Sequence, residues 1–334
     1  MRTALITGVT GQDGSYLTEL LLTKGYTVHG IVRRASRTER PRIDHLTLDS
    51  SIYGHRLYLH YADLEDPTTL RRILLKVAPD ELYHLAGQTH VGVSFEIPES
   101  TCEFTAMGTL RLLEIVRDLP KVPKILHVGS SEVFGNPVES PQNEETPFRP
   151  ATPYGVAKAF AVDMVRVYRQ AFGMFAVNAL CYNHESPRRG ESFVTRKITR
   201  AVARIKLGSK EILKLGNIDS ARDWGFAGDY VEAMWRMLQL GKPEDFVIAT
   251  GRLATVREFL EHAFSCVGLK WQDHVESDAS QFRAADMQAL VGDASKAKRF
   301  LGWQPTVDLV KLVEMMVQAD LAALQSRSAP RPVS

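Results

Sequence analysis

A glycine-rich turn directly after the first apolar run constrains this chain more than any other feature. Thr3–Thr7 has the pattern of a buried strand, and Ser15–Lys24 has apolar residues at helical spacing. Glycines between a strand and a helix let the backbone turn sharply and approach a pyrophosphate, while the helix offers free N–H groups and the positive end of its dipole. The turn therefore predicts a dinucleotide-binding loop. Its residues are Gly8, Thr10, Gly11, Gln12, Asp13 and Gly14.

Short apolar runs alternate with helical patterns through the first half of the chain. The runs lie at 28–32, 57–59, 82–85 and 125–128, and the helical patterns lie at 67–77, 107–116 and 155–172. This alternation predicts an α/β fold with a doubly wound, parallel Rossmann sheet. Nearly continuous apolar strands agree with it, because helices cover both faces of such a sheet.

The second half is less regular and predicts a smaller, sequence-interleaved C-terminal substrate domain. A polar stretch at 183–192 predicts a loop, since it contains Pro187 and Gly190. Helical patterns follow at 194–207, 229–240, 255–267 and 307–324, with a late strand at 247–249. We assign 1–179 and returning segments at about 217–250 to the Rossmann domain, 180–216 and 251–325 to the substrate domain, and 326–334 to a flexible tail.

Charge and cysteine usage exclude several classes of protein. The 334 residues carry 41 Lys and Arg against 39 Asp and Glu, a net charge of +2, so no basic surface for nucleic acid is indicated. No apolar run is long enough to span a membrane. The three cysteines are far apart and predict neither a disulfide framework nor a metal site, as expected of a cytoplasmic protein.

The residues after the second strand indicate which dinucleotide binds. An acidic residue there would favour NAD, but the chain has Arg33, Arg34 and Ser36, which suit a 2′-phosphate and predict NADP. Alternatively, these arginines belong to a solvent-exposed basic loop that does not bind a cofactor. Later strand ends add further contacts, since ligands of such sheets sit at the carboxyl ends of strands. These predicted contacts are Asp63 and Leu64 over the adenine, and Leu85, Ala86 and Gln88 under the cofactor.

Four residues predict the chemistry. Lys158 follows Tyr154 by four residues, which places both on one helix face, and an ammonium beside a phenol favours the phenolate. Ser130 and Glu132 follow the strand at 125–128 and bring a hydroxyl and a carboxylate to the same edge. A carboxylate base beside a sugar suits removal of a proton next to a ketone. Alternatively, Tyr154 and Lys158 belong to an ordinary amphipathic helix, and Glu132 is a carboxylate that only stabilises the start of a helix.

Taken together, these residues resemble the extended short-chain dehydrogenase/reductase family and, within it, the GDP-mannose 4,6-dehydratases. The resemblance covers the chain from Gly8 to about Leu324. Its most specific stretches are Thr10–Gly14, Val28–Ser36, Asn183–Gly190, Phe193–Thr199 and Arg222–Gly225.

The resemblance implies a role for each matching residue. Ser130, Glu132, Tyr154 and Lys158 are then catalytic, with Glu132 as the base at C5 of the sugar. It also implies that His184 and Arg189 lie beside the cofactor. Ser130 then binds the sugar of the substrate, and the GDP moiety is held by Asn183, Val194, Lys197, Arg222 and Arg283. The arginine-rich segment at 33–42 resembles the region through which family members assemble, which implies a homodimer or homotetramer.

Three departures from the family pattern bear on which sugar the substrate contains. Ser100 and Arg149 replace tyrosines, and Ala284 lies in an altered segment. They suggest an alternative substrate, GDP-D-glycero-D-manno-heptose, for the same dehydration. Two other readings are a nucleotide-sugar 4-epimerase or reductase, which needs no Glu132, and a non-catalytic nucleotide-binding protein that senses redox state.

Overall fold

The main sheet confirms the predicted Rossmann architecture. The computed structural model describes residues 1–34, 39–278 and 290–328, so the predicted Ser36, Arg283 and Ala284 lie outside the described residues. Within the described chain, seven parallel strands pair in the order β10-β6-β5-β4-β1-β2-β3. The strands are β1 (Thr3–Thr7), β2 (Thr27–Val32), β3 (Leu57–Tyr61), β4 (Glu81–His84), β5 (Lys124–Val128), β6 (Ala176–Cys181) and β10 (Phe246–Ile248).

Helices cover both faces of this sheet. On one face Leu17 and Met234 join a core formed by α1 and α8, and on the other Leu70, Leu112 and Val165 join a core formed by α3, α5 and α6. The helices of this layer and its connections are α1 (Gln12–Thr23), α2 (Asp44–Thr47), α3 (Pro67–Val77), α4 (Pro98–Cys102), α5 (Gly108–Arg117), α6 (Pro153–Phe172) and α8 (Ala227–Gln239). A π-helical turn at Glu103–Met107 joins α4 to α5.

A second hydrophobic core forms beside the carboxyl edge of the main sheet. Ile198, Phe259, Leu312 and Val313 belong to it and are 0% exposed. Its helices are α7 (Val194–Lys206), α9 (Val256–Ser265) and α11 (Leu309–Ser328), and two small sheets accompany them. These sheets comprise β7 (Asn183–Glu185), β9 (Ala221–Phe226) and β11 (Leu253–Thr255), and β8 (Leu213–Leu215) with β12 (Val275–Ser277).

The helix α10 (Ser295–Leu301) packs with the main sheet and not with the second core. Ala297, Leu301 and Trp303 belong to the cluster that contains α1 and α8. The division of the chain into two interleaved domains stays a prediction. The helix α11 continues to Ser328, beyond the predicted helix end at 324 and into the predicted tail.

The predicted loop at 183–192 is wrong in its first three residues. Asn183, His184 and Glu185 form β7, which pairs in parallel with Trp224, Gly225 and Phe226 of β9. The apolar pattern missed this strand because its residues are polar and face a functional cavity. The sequence also gives no periodic signal for three-residue strands such as β8 and β12. Among the described helices, none combines the length and apolar character needed to cross a membrane.

Candidate active site

A cavity of about 470 Å³ lies where the carboxyl ends of β5 and β6 face the second core. It brings most of the predicted chemistry together, since catalytic, cofactor-side and sugar-nucleotide residues all line it. The predicted residues in its wall are Asp13, Leu85, Ser130, Glu132, Tyr154, Lys158, Asn183, His184, Arg189, Val194, Lys197 and Arg222.

Ser130 and Glu132 are placed by a short turn at the end of β5. The strand stops at Val128, and a 3₁₀ turn spans Ser131–Val133. The Ser130 hydroxyl caps this turn by accepting a hydrogen bond from the Glu132 backbone N–H at 3.3 Å. Because the turn follows the strand at once, both side chains line the cavity.

Tyr154 and Lys158 lie one turn apart at the start of α6. Thr152 caps the helix, and its hydroxyl accepts a hydrogen bond from the Gly155 N–H at 2.9 Å. The Lys158 ammonium donates a hydrogen bond to the Val128 carbonyl at 2.7 Å, which ties the helix to the end of β5. The predicted shared face of the two residues is confirmed, since both line the cavity.

Burial controls the titration of this pair. It raises the pKa of Tyr154 above its ordinary value, and a hydrogen bond with Ser130 opposes the rise only in part. Burial also lowers the pKa of Lys158 to about 8. In the protein alone, loss of solvent outweighs the neighbours that favour the phenolate. The predicted phenolate stays a prediction, because it also relies on the positive nicotinamide of the cofactor. A phenolate here requires a further positive charge.

The glycine turn fits a dinucleotide. A β-carbon on Gly14 would overlap the carbonyl oxygen of Gly8, so only glycine allows β1 and α1 to meet this closely. Gly11 is the N-cap of α1 and has no side chain to bond the first-turn N–H groups, which leaves them for an anion. The Arg42 guanidinium holds the turn from outside by donating to the Thr10 carbonyl at 3.3 Å.

Other predicted cofactor residues follow the neighbouring strands β2, β3 and β4. Arg33 and Arg34 are exposed at the end of β2, and the Arg33 guanidinium lies 5.8 Å from the Phe104 ring centre. Asp63 and Leu64 follow β3, and Leu64 is buried. Because β4, β1, β2 and β3 are adjacent, these residues form a row along one edge of the sheet.

Three further predicted cofactor residues make contacts inside the protein. The Gln88 amide donates to the His90 carbonyl at 2.9 Å. The Ala86 N–H donates to the Thr7 hydroxyl at 3.1 Å. Gln12 likewise turns inward, and its amide donates to the His184 carbonyl at 3.0 Å. Neither Gln12, Ala86 nor Gln88 is among the described residues of the cavity wall.

The predicted sugar-nucleotide residues come from three elements of the second core. Asn183 lies on β7, Val194 and Lys197 lie on α7, and Arg222 lies on β9. The Lys197 ammonium donates to the Lys214 carbonyl at 2.8 Å, and burial lowers the pKa of Lys197. Two cations and an amide thus reach the cavity opposite Tyr154, an arrangement that suits a diphosphate.

The cavity also contains residues that the sequence did not single out. Thr89 and His90 directly follow the predicted Gln88, so a longer reading of the β4 end would have found them. Tyr182 and Asn217 gave no such signal, and Trp224 lies within the stretch Arg222–Gly225 that carries the family resemblance. Ser100 and Arg149 are not among the described lining residues. Arg149 instead lines a separate surface depression with Val138 and Phe148.

Comparison with known proteins decides the family. A family model described as GDP-mannose 4,6 dehydratase matches residues 5–316. The chain belongs to the GDP-mannose 4,6-dehydratase family. An Arabidopsis thaliana member, GDP-mannose 4,6 dehydratase 1, is 55% identical over 95% of this chain and 89% of its own length. The Homo sapiens family member is 48% identical over 97% of this chain and 92% of its own.

Solved structures agree on the fold of the family. The dTDP-glucose 4,6-dehydratase of Bacillus anthracis in complex with NAD has a TM-score of 0.83 at 19% identity, covering 98% of each chain. The RMD protein of Pseudomonas aeruginosa complexed with NADPH has a TM-score of 0.80 at 24% identity, covering 97% of this chain and 100% of its own. At such identities the likeness concerns the fold alone.

Proposed function

We propose that this protein is an NADP-dependent dehydratase that converts GDP-D-mannose to GDP-4-keto-6-deoxy-D-mannose. Family membership supports the substrate and the reaction. The observation that carries the proposal is the convergence of Ser130, Glu132, Tyr154 and Lys158 in one cavity, opposite Lys197 and Arg222. A hydroxyl, a carboxylate and a phenol thus face one sugar-sized space, with cations where a diphosphate would lie.

Each of these side chains has a distinct task on the sugar. Tyr154, as phenolate, takes the proton of the C4 hydroxyl, and Ser130 orients that hydroxyl. Glu132 removes the C5 proton, which the C4 ketone makes acidic, and passes it to the departing C6 hydroxyl, so that water leaves. The proton that Tyr154 took balances the one that C5 regains.

The cofactor would lie along the row from the glycine turn to Arg33 and Arg34. NADP, when bound, supplies the two-electron oxidation at C4, the matching reduction at C6 and, in its oxidised form, a positive charge that favours the Tyr154 phenolate. Lys158 would hold the nicotinamide side of the cofactor, and the two exposed arginines would bind the 2′-phosphate.

Product analysis tests the reaction. Incubation of the purified protein with NADP and GDP-mannose should give a product lighter by one water, as measured by mass spectrometry. Tyr154→Phe should lower turnover by roughly 100-fold or more. A product of equal mass would exclude the dehydratase and favour an epimerase, and unchanged GDP-mannose would contradict its role as the substrate. Turnover of GDP-manno-heptose in preference to GDP-mannose would support the alternative sugar, which the positions of Ser100 and Arg149 do not favour.

We also propose that the chain forms a homo-oligomer in the cytoplasm. The helix α6 exposes Val156, Phe160 and Val167, which are 52%, 39% and 46% exposed, on one face. The cysteines at 102, 181 and 266 are unpaired, which suits a reducing compartment. Light scattering from the purified protein tests the assembly, and a monomer at micromolar concentration would contradict it.

A further inference from the structure

The imidazole of His184 lies between two hydrogen-bond acceptors. Its Nδ1 is 2.7 Å from the Tyr182 carbonyl oxygen, and its Nε2 is 2.9 Å from the Asp13 carboxylate. A carbonyl and a carboxylate both accept, so each nitrogen must carry a proton to bond its partner. A neutral ring carries one proton and would leave one buried acceptor unmatched. With Asp13 ionised, the geometry therefore requires an imidazolium.

Asp13 occupies an unfavourable place for a carboxylate in a dinucleotide-binding protein. It lies in the first turn of α1, where the helix dipole and free N–H groups would attract a diphosphate. A carboxylate there suits the helix but repels a second anion. The Gln12 amide donates to Asp13 at 3.1 Å, yet an amide does not cancel its charge.

Several charged and titratable groups face this pair. Burial disfavours the charged ring, but the charge and hydrogen bond of Asp13 outweigh it and raise the pKa of His184 above 6.5. Burial likewise opposes ionisation of Asp13, and His184 and Arg189 nevertheless lower the pKa of Asp13 below 3.8. From the remaining elements, the Tyr230 ring of α8 stacks on His184 at 4.6 Å, while Cys181 and Lys158 lie within electrostatic reach of Asp13.

We propose that His184 is a positioning residue that acts as an imidazolium, cancels the charge of Asp13 at the start of α1, and holds the glycine turn to the strand that carries Asn183. This inference rests on the proposed function, since it assigns the glycine turn to the NADP diphosphate. In it, His184 sets the affinity of the turn for an anion and couples the cofactor side of the cavity to the sugar side.

NMR of histidine-labelled protein tests the charge state without ligand or activity. His184 should show both ring nitrogens protonated at pH 6, and its pKa should lie above 6.5. His84 is an internal control, because its nitrogens contact the hydroxyls of Thr7 and Thr109, which can donate or accept, and burial lowers its pKa to about 3. A neutral His184 at pH 6 would overturn the proposal.

Charge rescue tests the consequence for binding. Calorimetry should show that His184→Gln binds NADP about tenfold or more weakly than the wild type, because the charge of Asp13 loses its imidazolium partner. The double variant with Asp13→Asn should bind within about threefold of the wild type. His55→Gln, at an exposed position, is the matched control. Wild-type affinity in His184→Gln, or no recovery in the double variant, would contradict the proposal.

These experiments separate the two hypotheses. Rescue of NADP binding in a protein that removes no water from GDP-mannose would leave His184 in its role and exclude the dehydratase. Normal dehydration by a protein whose His184 is neutral would exclude the proposed role of His184 and leave the dehydratase in place.

Discussion

The start of α6 packs directly on the turn that carries Glu132, and Gly155 is the point of contact. A β-carbon on Gly155 would lie 2.7 Å from the Glu132 carbonyl oxygen, closer than β-carbons approach other atoms in real proteins. Tyr154 precedes this glycine, so the contact sets how near the phenol comes to the carboxylate. The charge of Glu132 reaches the phenol, since it contributes to the raised pKa of Tyr154.

Gly155→Ala should therefore impair turnover more than stability. Alanine favours a helix by roughly 1 kcal/mol over glycine, which offsets part of the strain. Displacement of Tyr154 from Glu132 should lower kcat by roughly 10-fold to 100-fold, measured with GDP-mannose at saturation. Gly241→Ala, where an added β-carbon meets open space, is the control. Equal kcat in both variants would show that the contact does not position the phenol.

Glu132→Gln should stop the reaction after oxidation at C4. The amide preserves the shape of the side chain but cannot take the C5 proton, so turnover should fall by roughly 100-fold or more. Reduced nicotinamide should then accumulate to about one equivalent per active site, as measured by its absorbance. Glu145→Gln, at an exposed position, should behave as the wild type. Full turnover by Glu132→Gln would remove the carboxylate from the mechanism.

Lys158→Met should stabilise the cofactor-free protein, and the gain should depend on pH. Burial lowers the pKa of Lys158 from 10.5 to about 8, so between these values the unfolded state binds more protons than the folded state. The wild type is thus penalised by about 3 kcal/mol below pH 8 and loses this penalty as pH rises to about 10.5. Denaturant unfolding at pH 7 and 10 measures the difference. Lys298→Met, at an exposed position, is the control.

Arg222→Met should weaken sugar-nucleotide binding and leave the chemistry intact. If the guanidinium holds the diphosphate, its loss should raise KM for GDP-mannose by roughly tenfold or more, with kcat changed little. The same substitution at Arg236, which bonds Glu232 on α8 at 2.9 Å, should leave KM unaltered. A fall in kcat at constant KM would assign Arg222 to the reacting end of the sugar instead.

Residues with a local signal were predictable from sequence. The helix at 67–77 has the predicted bounds, because Asp66 caps its start, Pro67 suits its first turn and its apolar residues recur at helical spacing. The shared face of Tyr154 and Lys158 likewise needs only the helical repeat. The strand at 176–181 was not singled out, although all six of its residues are buried.

Residues joined across the chain were not predictable in this way. His184 and Asp13 are 171 positions apart, and no local pattern indicates that they touch. The strands β7 and β9 are rich in polar residues because they line the cavity. The apolar pattern that identifies strands is therefore absent at the candidate active site. The burial that raises the pKa of Tyr154 is also a property of the folded protein alone.

A single residue, Tyr182, separates β6 from β7. Its N–H donates to the Ile248 carbonyl at 2.9 Å, its hydroxyl donates to Gln142 at 2.9 Å, and its side chain is 1% exposed. The chain therefore passes from the seven-stranded sheet to the three-stranded sheet through one buried, hydrogen-bonded residue. A chimera joined at this crossing should therefore tolerate no inserted or deleted residue, because a one-residue shift would turn His184 away from Asp13.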